Sequence, residues 1–121
     1  MREGLDNERR YGVAGVPAAC PRGWDALLDR LDRALLNLEP AYEATRITSK
    51  FGGLRFRVAL DTFGDRRNEA RDLIFAAEEE SLRTCEICGQ PGNLHVDIHL
   101  WRATLCETHA DERGFLRRTP R

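Results

Sequence analysis

Two closely spaced pairs of metal-type residues near the C-terminus constrain this chain more than any other feature. Cys85 and Cys88 form one pair and Cys106 and His109 the other, with two residues inside each pair and 17 residues between the pairs. A spacing of two residues lets a tight turn or one helical turn direct both side chains at a single ion. The sequence therefore predicts one tetrahedral site of three thiolates and an imidazole.

The residues around the four ligands predict the order of elements in this region. Gly89 follows the second cysteine, where the turn that brings both thiolates inward needs a residue free to take positive φ. The run that starts at Cys106 is helix-compatible, and residues i and i+3 share a helix face, so Cys106 and His109 can reach one ion. Turn, hairpin and helix in that order describe a treble-clef zinc module, which we predict over residues 85–116.

The four residues also admit two other interpretations. They could be a buried redox pair with core residues, or half of a disulfide framework in a secreted domain. We favour zinc because two correctly spaced pairs coincide in a chain with only four cysteines. Four protein ligands fill a tetrahedral ion and leave no position for water, so one Zn²⁺ is predicted to be structural and needed for the C-terminal third to fold.

The composition is typical of a globular protein without a dominant charge. The chain has 121 residues, 41% of them hydrophobic, with 19 basic and 20 acidic residues and a net charge of −1. No apolar run approaches the roughly 18 residues of a membrane span, and the N-terminus lacks the apolar stretch of a signal peptide. We therefore expect a cytoplasmic protein with no membrane partner and no overall field that attracts nucleic acid.

Periodicity divides the rest of the chain into segments and predicts an α+β fold. Residues 1–19 are charged, contain glycine and show no period, so we predict a flexible N-terminal arm. Residues 20–84 are predicted to form a core of helix, two-stranded hairpin and helix, on which the zinc module packs. Residues 117–121 are predicted to be a basic tail.

The first predicted helix runs from Trp24 and ends before Pro40. Its apolar residues recur at steps of three and four, as a buried face requires: Trp24, Leu27, Leu28, Leu31, Leu35 and Leu38. Asp25, Asp29 and Asp32 line another face, the acidic stripe, which we expect to be solvated, with a partner-binding surface as the alternative.

The second predicted helix spans residues 65–83, with Asp65 as its N-cap. Its apolar stripe consists of Ala70, Leu73, Ile74, Ala77 and Leu82. Glu78, Glu79 and Glu80 lie near its C-terminal end, where negative charge is unfavourable to the helix dipole unless it is paired. The glutamates are therefore expected to pair with the arginines of the hairpin between the two helices, described next.

A β-hairpin is predicted between the two helices, with strands at 45–51 and 54–60 joined by Gly52-Gly53. Alternation in the second strand makes one face apolar and core-facing. The other face gathers the only concentrated basic surface in the sequence: Arg46, Lys50, Arg55 and Arg57. This face is either an ordinary exposed sheet surface or a contact surface for phosphates or an acidic partner.

Three polar residues alternate with apolar ones inside the predicted zinc module. His95, Asp97 and His99 would share one face of a continuous strand and resemble a second metal or acid/base cluster. The hairpin of the module has to reverse near Asp97 to His99, which would separate them, so we predict solvated hairpin residues. Cys20 has no neighbouring histidine and is predicted to pack. No glycine-rich phosphate loop precedes a helix, and no small-molecule substrate is expected.

Several segments in a fixed order resemble a known family. They are Gly23-Trp24 before the leucine-rich helix, KFGGLRF at 50–56, AEEES at 77–81, CEICGQPG at 85–92 and WRATLCETHA at 101–110. Together they resemble a widespread family of small bacterial, phage and prophage proteins with no established biochemical activity. The resemblance covers about residues 20–110 and implies a zinc site and a mobile-element context in a bacterial host. The chain departs from the family pattern at Leu100, where glycine is common, and at Arg57, where an aromatic residue is frequent.

The predicted function is that of a non-catalytic, zinc-stabilised binding protein in the bacterial cytoplasm. Given the mobile-element resemblance, its hypothetical partner is a host protein in a defence system, such as a CRISPR effector that it inhibits or modulates. One alternative is a nucleic-acid-binding regulator that uses the basic hairpin face and the arginines near the C-terminus: Arg113, Arg117, Arg118 and Arg121.

The other alternative is an HNH-type ββα-metal nuclease, with His95 or His99 as the base. It is disfavoured because His109, the only histidine of the last predicted helix, is already assigned to zinc.

Overall fold

The computed structural model describes residues 10–117, which form an α+β fold of three helices and small antiparallel sheets. The helices are α1 (Asp25–Leu38), α2 (Arg67–Ser81) and α3 (Glu107–Arg113). The strands are β1 (Arg10–Tyr11), β2 (Val16–Pro17), β3 (Ala44–Lys50), β4 (Gly53–Val58), β5 (Asn93–Val96), β6 (Arg102–Leu105) and β7 (Leu116–Arg117). β1 pairs with β2, β3 with β4, and β5 lies between β6 and β7. Every helix among residues 10–117 is too short or too polar to span a bilayer.

The main hydrophobic core lies between α1, α2 and the β3–β4 hairpin. Its largest fully buried side chains are Trp24, Leu28, Leu35, Tyr42, Ile47 and Phe56. The helical spacing predicted from Trp24 is confirmed over α1, although Trp24 itself ends a short 3-10 turn that precedes the helix. Burying each side chain of this size contributes roughly 1.5–3 kcal/mol, so this cluster is a major source of the fold's stability.

The β3–β4 hairpin turns one residue earlier than predicted. Lys50 pairs with Gly53, so Phe51 and Gly52 form the two-residue connection, with φ of 55° and 82°. Positive φ at both positions is the type I′ geometry that matches the twist of a hairpin. The predicted Gly52-Gly53 turn is wrong because the pairing that sets Ile47 opposite Phe56 in the core also sets Lys50 opposite Gly53.

The second helix begins later than predicted. A 3-10 segment, Leu60–Arg66, precedes α2 and contains a kink at Gly64, where φ is 56° and ψ is −124°. Asp65 is therefore not the N-cap, and Arg66 at that position makes no side-chain capping bond. Ala70, Ile74 and Ala77 form the buried face as predicted, whereas Leu82 lies beyond the helix and is 38% exposed.

Residues 10–19, predicted to belong to a flexible arm, instead form a short hairpin on the core. Tyr11 is 5% exposed, and the N–H of Ala19 donates to the carbonyl of Ile47 at 3.0 Å. The prediction was wrong here because a few scattered apolar residues show no period even when they are buried.

The predicted basic tail also begins too early, because Arg117 pairs with His95 in β7. The outer parts of both predicted segments, residues 1–9 and 118–121 with Arg118 and Arg121, lie outside the described residues.

The acidic stripe of α1 (Asp25, Asp29 and Asp32) holds the β1–β2 hairpin against the helix through hydrogen bonds. Asp29 is exposed, as predicted, but it accepts a hydrogen bond from the Tyr11 hydroxyl at 2.8 Å. Asp32 accepts hydrogen bonds from the hydroxyl of the fully buried Tyr42 and from the N–H of Gly12. Burial and, to a smaller extent, the hydrogen bond to the Asp32 carboxylate raise the pKa of Tyr42 far above its usual range. The acidic stripe therefore stabilises the fold and is not only the solvated surface that the sequence predicts.

Asp32→Ala is expected to destabilise the protein by about 1–3 kcal/mol, because it leaves the buried Tyr42 hydroxyl without its acceptor. Urea denaturation followed by circular dichroism measures this loss. Adding Tyr42→Phe removes the unpaired hydroxyl, so the double variant should recover part of the stability. A double variant less stable than Asp32→Ala would contradict this account of the loss.

Candidate metal centre and its surroundings

The four predicted ligands come from one turn and from the start of α3. Cys85 and Cys88 lie in the turn before β5, which we call the cysteine turn (residues 85–90). Two backbone hydrogen bonds close this turn. The N–H of Cys85 donates to the carbonyl of Gln90 at 2.7 Å, and the N–H of Gly89 donates to the carbonyl of Cys85 at 3.0 Å. Gly89 has φ of 81°, as its position predicts. Cys106 is the N-cap of α3, and His109 lies in its first turn.

The ligand atoms converge, all of them within 4.8 Å of one another. His109 Nδ1 lies 3.2 Å from the sulfur of Cys106 and 3.6 Å from that of Cys85, and the sulfurs of Cys88 and Cys106 are 3.9 Å apart. A tetrahedral ion with metal–sulfur bonds of about 2.3 Å holds its donors roughly 3.5–3.8 Å apart. The set therefore fits one tetrahedral metal ion, and its sulfurs are too far apart for a disulfide.

The cysteine turn stabilises the ionised form of Cys85. Burial of its sulfur opposes ionisation, but hydrogen bonds from the backbone N–H groups of Cys88, Cys106 and Ile87 and from the His109 ring outweigh burial. They lower the pKa of Cys85 from its ordinary 9.0 to about 6. A thiolate is the form of cysteine that binds metals, so the backbone prepares this ligand before an ion arrives.

Metal retention is expected to fall as the pH is lowered below about 6. Because the folded-state pKa is depressed, the Cys85 thiolate contributes stability that is complete above 9.0 and is lost as the pH falls through about 6. Protonation and metal compete for the same sulfurs. The thiolate-to-metal absorption of the Co²⁺-substituted protein measures this, with Cys20→Ser as a control that should titrate identically. Complete release at a pH well above 6 would contradict the expectation.

The segment Gly23-Trp24 packs directly against the cysteine turn. Gly23 N–H donates to the carbonyl of Glu86 at 2.7 Å, and the Trp24 indole N–H donates to the carbonyl of Thr84 at 3.0 Å. A Cβ atom on Gly23 would lie 2.2 Å from the carbonyl oxygen of Cys85. Only glycine fits such an approach of one backbone to another, so the start of α1 and the metal centre form one packed unit.

Thr104 joins the metal centre to the tip of the β3–β4 hairpin. Its buried hydroxyl donates to the carbonyl of Gly52 at 2.8 Å, and its carbonyl accepts the N–H of Glu86 at 2.8 Å. Its own N–H donates to the Glu86 carboxylate at 2.8 Å. The hairpin tip and the cysteine turn are therefore held on opposite sides of one residue.

The C-terminal end of α2 binds the outer edge of β4. The N–H of Leu54 donates to Ser81 Oγ at 2.9 Å, and the N–H of Phe56 donates to the Glu78 carboxylate at 3.0 Å. Glu78 also lies 3.6 Å from Arg57 in an ion pair. The predicted pairing of the α2 glutamates with the basic hairpin face is confirmed for Glu78, whereas Glu80 pairs instead with Arg30 of α1, at 2.7 Å.

The four residues of the predicted basic face lie on one side of the β3–β4 hairpin. Arg46 stands opposite Arg57 and Thr48 opposite Arg55, on the side away from Ile47 and Phe56. Lys50 follows on the same side by alternation. The structure thus brings Arg46, Lys50, Arg55 and Arg57 together, and their contact with a partner stays a prediction.

His95, Asp97 and His99 do not form a cluster, because the β5–β6 hairpin reverses through residues 97–101. Asp97 Oδ1 accepts the N–H groups of His99 and Trp101 at 2.8 and 2.9 Å and so shapes the loop, in which His99 is exposed. The expectation that all three are solvated is wrong for His95, which is 2% exposed with Nδ1 2.7 Å from the carbonyl of Asn93. Cys20 packs against the main core, as predicted.

A groove beside the metal centre was missed by the sequence prediction. It has a volume of about 560 Å³ and separates the β3–β4 turn from the β5–β6 loop. Three large apolar side chains that line it are 62–77% exposed, namely Phe51, Leu100 and Trp101, and Ile98 of the same β5–β6 loop is 84% exposed. Leu100 has a left-handed φ of 67°, which no spacing pattern in the sequence indicated.

Comparisons with known proteins give no match for this chain among family models, curated proteins or solved structures. The binding role proposed below therefore rests on the geometry of the metal centre and the groove.

Proposed function

We propose that the protein is a non-catalytic, zinc-stabilised binding protein that acts through a partner protein. The observation that supports this most is the exposure of Phe51, Ile98, Leu100 and Trp101 on two adjoining loops. Clustered exposed apolar side chains mark interaction sites, and aromatic residues beside arginine are enriched in protein interfaces. Arg102 follows Trp101 directly and borders the same groove.

The ion we propose for the metal centre is a single structural Zn²⁺. Three thiolates and one imidazole suit zinc, and the order of turn, β5–β6 hairpin and α3 corresponds to a treble-clef module. Four protein ligands leave no open position at a tetrahedral ion, which supports a structural role. The burial of His95 and its bond to Asn93 weigh against the alternative of an HNH-type nuclease.

The proposed partner is a host protein in the bacterial cytoplasm, hypothetically a defence complex such as a CRISPR effector that the protein inhibits. This choice of partner rests on the family resemblance, whereas the binding role rests on the exposed loops. A defence-inhibition assay in bacteria that carry an active CRISPR system would test it, with unaltered interference in the presence of the protein as the contrary result.

Affinity purification of the tagged full-length protein from bacterial cells tests the binding role. We expect wild type to retain a partner in fixed stoichiometry, and Trp101→Ala to lose it without loss of folding because this side chain is 70% exposed. Phe75→Ala is a matched control, since Phe75 is 63% exposed on α2 and does not line the groove. Retention of no protein by wild type, together with salt-sensitive nucleic-acid binding, would overturn the proposal.

Nucleic-acid binding by the basic hairpin face is the second candidate function. The observation that favours it is that Arg46, Lys50 and Arg55 share a face and, within residues 10–117, have no carboxylate within 4.0 Å. Gel shifts with duplex DNA and with RNA at two salt concentrations test it. Phosphate contacts should weaken steeply as salt rises, and Arg46→Glu with Arg55→Glu should abolish binding. Binding that these substitutions leave intact would exclude this face.

A further inference from the structure

Both non-glycine residues with positive φ in the described range border the same groove. Phe51 has φ of 55° and Leu100 has φ of 67°. A left-handed backbone is unfavourable for such residues, and their side chains, 62% and 77% exposed, regain little of that cost by burial. Unfavourable conformations that display large side chains are typical of ligand-contacting positions.

The groove carries positive charge beside its aromatic rings. Lys50 Nζ lies 5.6 Å and the Arg102 guanidinium 5.5 Å from the centre of the Phe51 ring. Glu86 also lines the groove, but its carboxylate accepts the N–H of Thr104 at 2.8 Å. Two cationic side chains, Lys50 and Arg102, therefore face a single carboxylate that is already hydrogen-bonded, so the groove complements an acidic ligand.

One strand edge in the groove has an unused N–H and C=O. The main-chain N–H and C=O of Thr104 point outward from β6, toward Glu86. Because alternate residues of an antiparallel strand point to the same edge, the N–H and C=O of Arg102, two residues earlier, lie on that edge too. Among residues 10–117, no backbone group outside the sheet bonds the main chain of Arg102. An extended peptide can pair with such an edge, whereas the sugar-phosphate backbone lacks the alternating N–H and C=O groups to do so.

We propose that this groove binds an extended acidic segment of a partner protein. An apolar side chain of the segment lies between Phe51 and Trp101, its carboxylates face Lys50 and Arg102, and its backbone pairs with Arg102. This inference rests on the proposed binding function and specifies the site and the chemistry of the partner.

Selection from a displayed library of random linear peptides against the full-length, zinc-loaded protein tests the site. We expect enriched peptides to be acidic and to carry an aromatic or aliphatic anchor. Trp101→Ala and Arg102→Glu should each weaken their binding at least about tenfold, as hot-spot residues do. Phe75→Ala should leave the affinity unchanged. Enrichment of peptides without acidic residues, no enrichment, or equal binding by all variants would overturn the inference.

The variant Phe51→Asn tests whether the Phe51 side chain contacts the peptide or only forms part of the hairpin turn. Asparagine adopts the left-handed turn more easily, so the variant should unfold at higher urea concentration while it binds the selected peptides less tightly. A variant that gains stability and binds as well as wild type would remove Phe51 from the site and overturn the inference.

Two comparisons distinguish this inference from the proposed function. A partner that co-purifies equally with wild type and with Trp101→Ala leaves the binding function standing and overturns the groove as its site. Displacement of the selected peptides by oligo-dT at low salt would identify the groove as a single-strand nucleic-acid site and overturn the peptide assignment.

Discussion

Removal of the metal by a chelator is expected to unfold the region from Cys85 to the end of α3. The buried hydrophobic residues of this region are few, namely Cys85, Leu105 and Ala110, so its packing alone cannot offset the entropy of ordering the chain. A structural zinc ion contributes on the order of 10 kcal/mol to such a module at neutral pH. Hydrogen exchange should show loss of protection in β5, β6 and α3, with recovery when Zn²⁺ is added back.

Ligand variants give this expectation its controls. His109→Ala should behave like the chelated protein, whereas His109→Cys should retain the ion because a fourth thiolate is an equally good zinc ligand. Cys20→Ser should leave the metal content unchanged, since Cys20 lies outside the ligand set. Elemental analysis that finds no metal in the purified protein, or protection that survives chelation, would contradict a structural role for the ion.

Gly23→Ala is expected to destabilise the protein by about 3 kcal/mol or more, a severe effect for one methyl group. The added Cβ would lie 2.2 Å from the carbonyl oxygen of Cys85 and 2.5 Å from the carbonyl carbon of Glu86. These are backbone atoms of the cysteine turn and cannot rotate away as a side chain can. The turn has to move, so metal affinity should fall together with the urea midpoint.

The matched control for Gly23→Ala is Gly114→Ala at the end of α3. Gly114 has φ of 73° but no atom within 4 Å of an added Cβ, so its replacement costs only the left-handed conformation, roughly 1–2 kcal/mol. Equal destabilisation by the two substitutions, with unchanged metal affinity in both, would show that Gly23 does not support the metal centre.

Features that depend on local spacing were predictable from the sequence. The two residues inside each ligand pair were enough to predict which four side chains converge, and the three- and four-residue steps after Trp24 predicted α1. The geometry inside each ligand pair and along α1 depends on a single turn or helix, which neighbouring segments do not alter, and the four donors that fill a tetrahedral ion link the two pairs.

Features that depend on distant packing were not predictable. The one-residue error in the hairpin turn arose because burial of Ile47 and Phe56, and not the preference of glycine for turns, decides the pairing of β3 with β4. The burial of Tyr11 depends on a carboxylate 18 residues away. Aromatic residues are equally suited to a core, so the sequence alone could not show that Phe51 and Trp101 are exposed. Their exposure follows from how the hairpin tip meets Thr104.

The contact between Trp24 and Thr84 has a consequence for synthesis of the protein, because it joins positions 60 residues apart. On the ribosome, the indole N–H of a nascent chain bonds to water until the second half of the polypeptide has emerged, because its partner carbonyl is synthesised 60 residues later. Anchoring of the start of α1 beside the cysteine turn is thus a late step in folding, so chains that stall before Thr84 would keep this part of the fold incomplete.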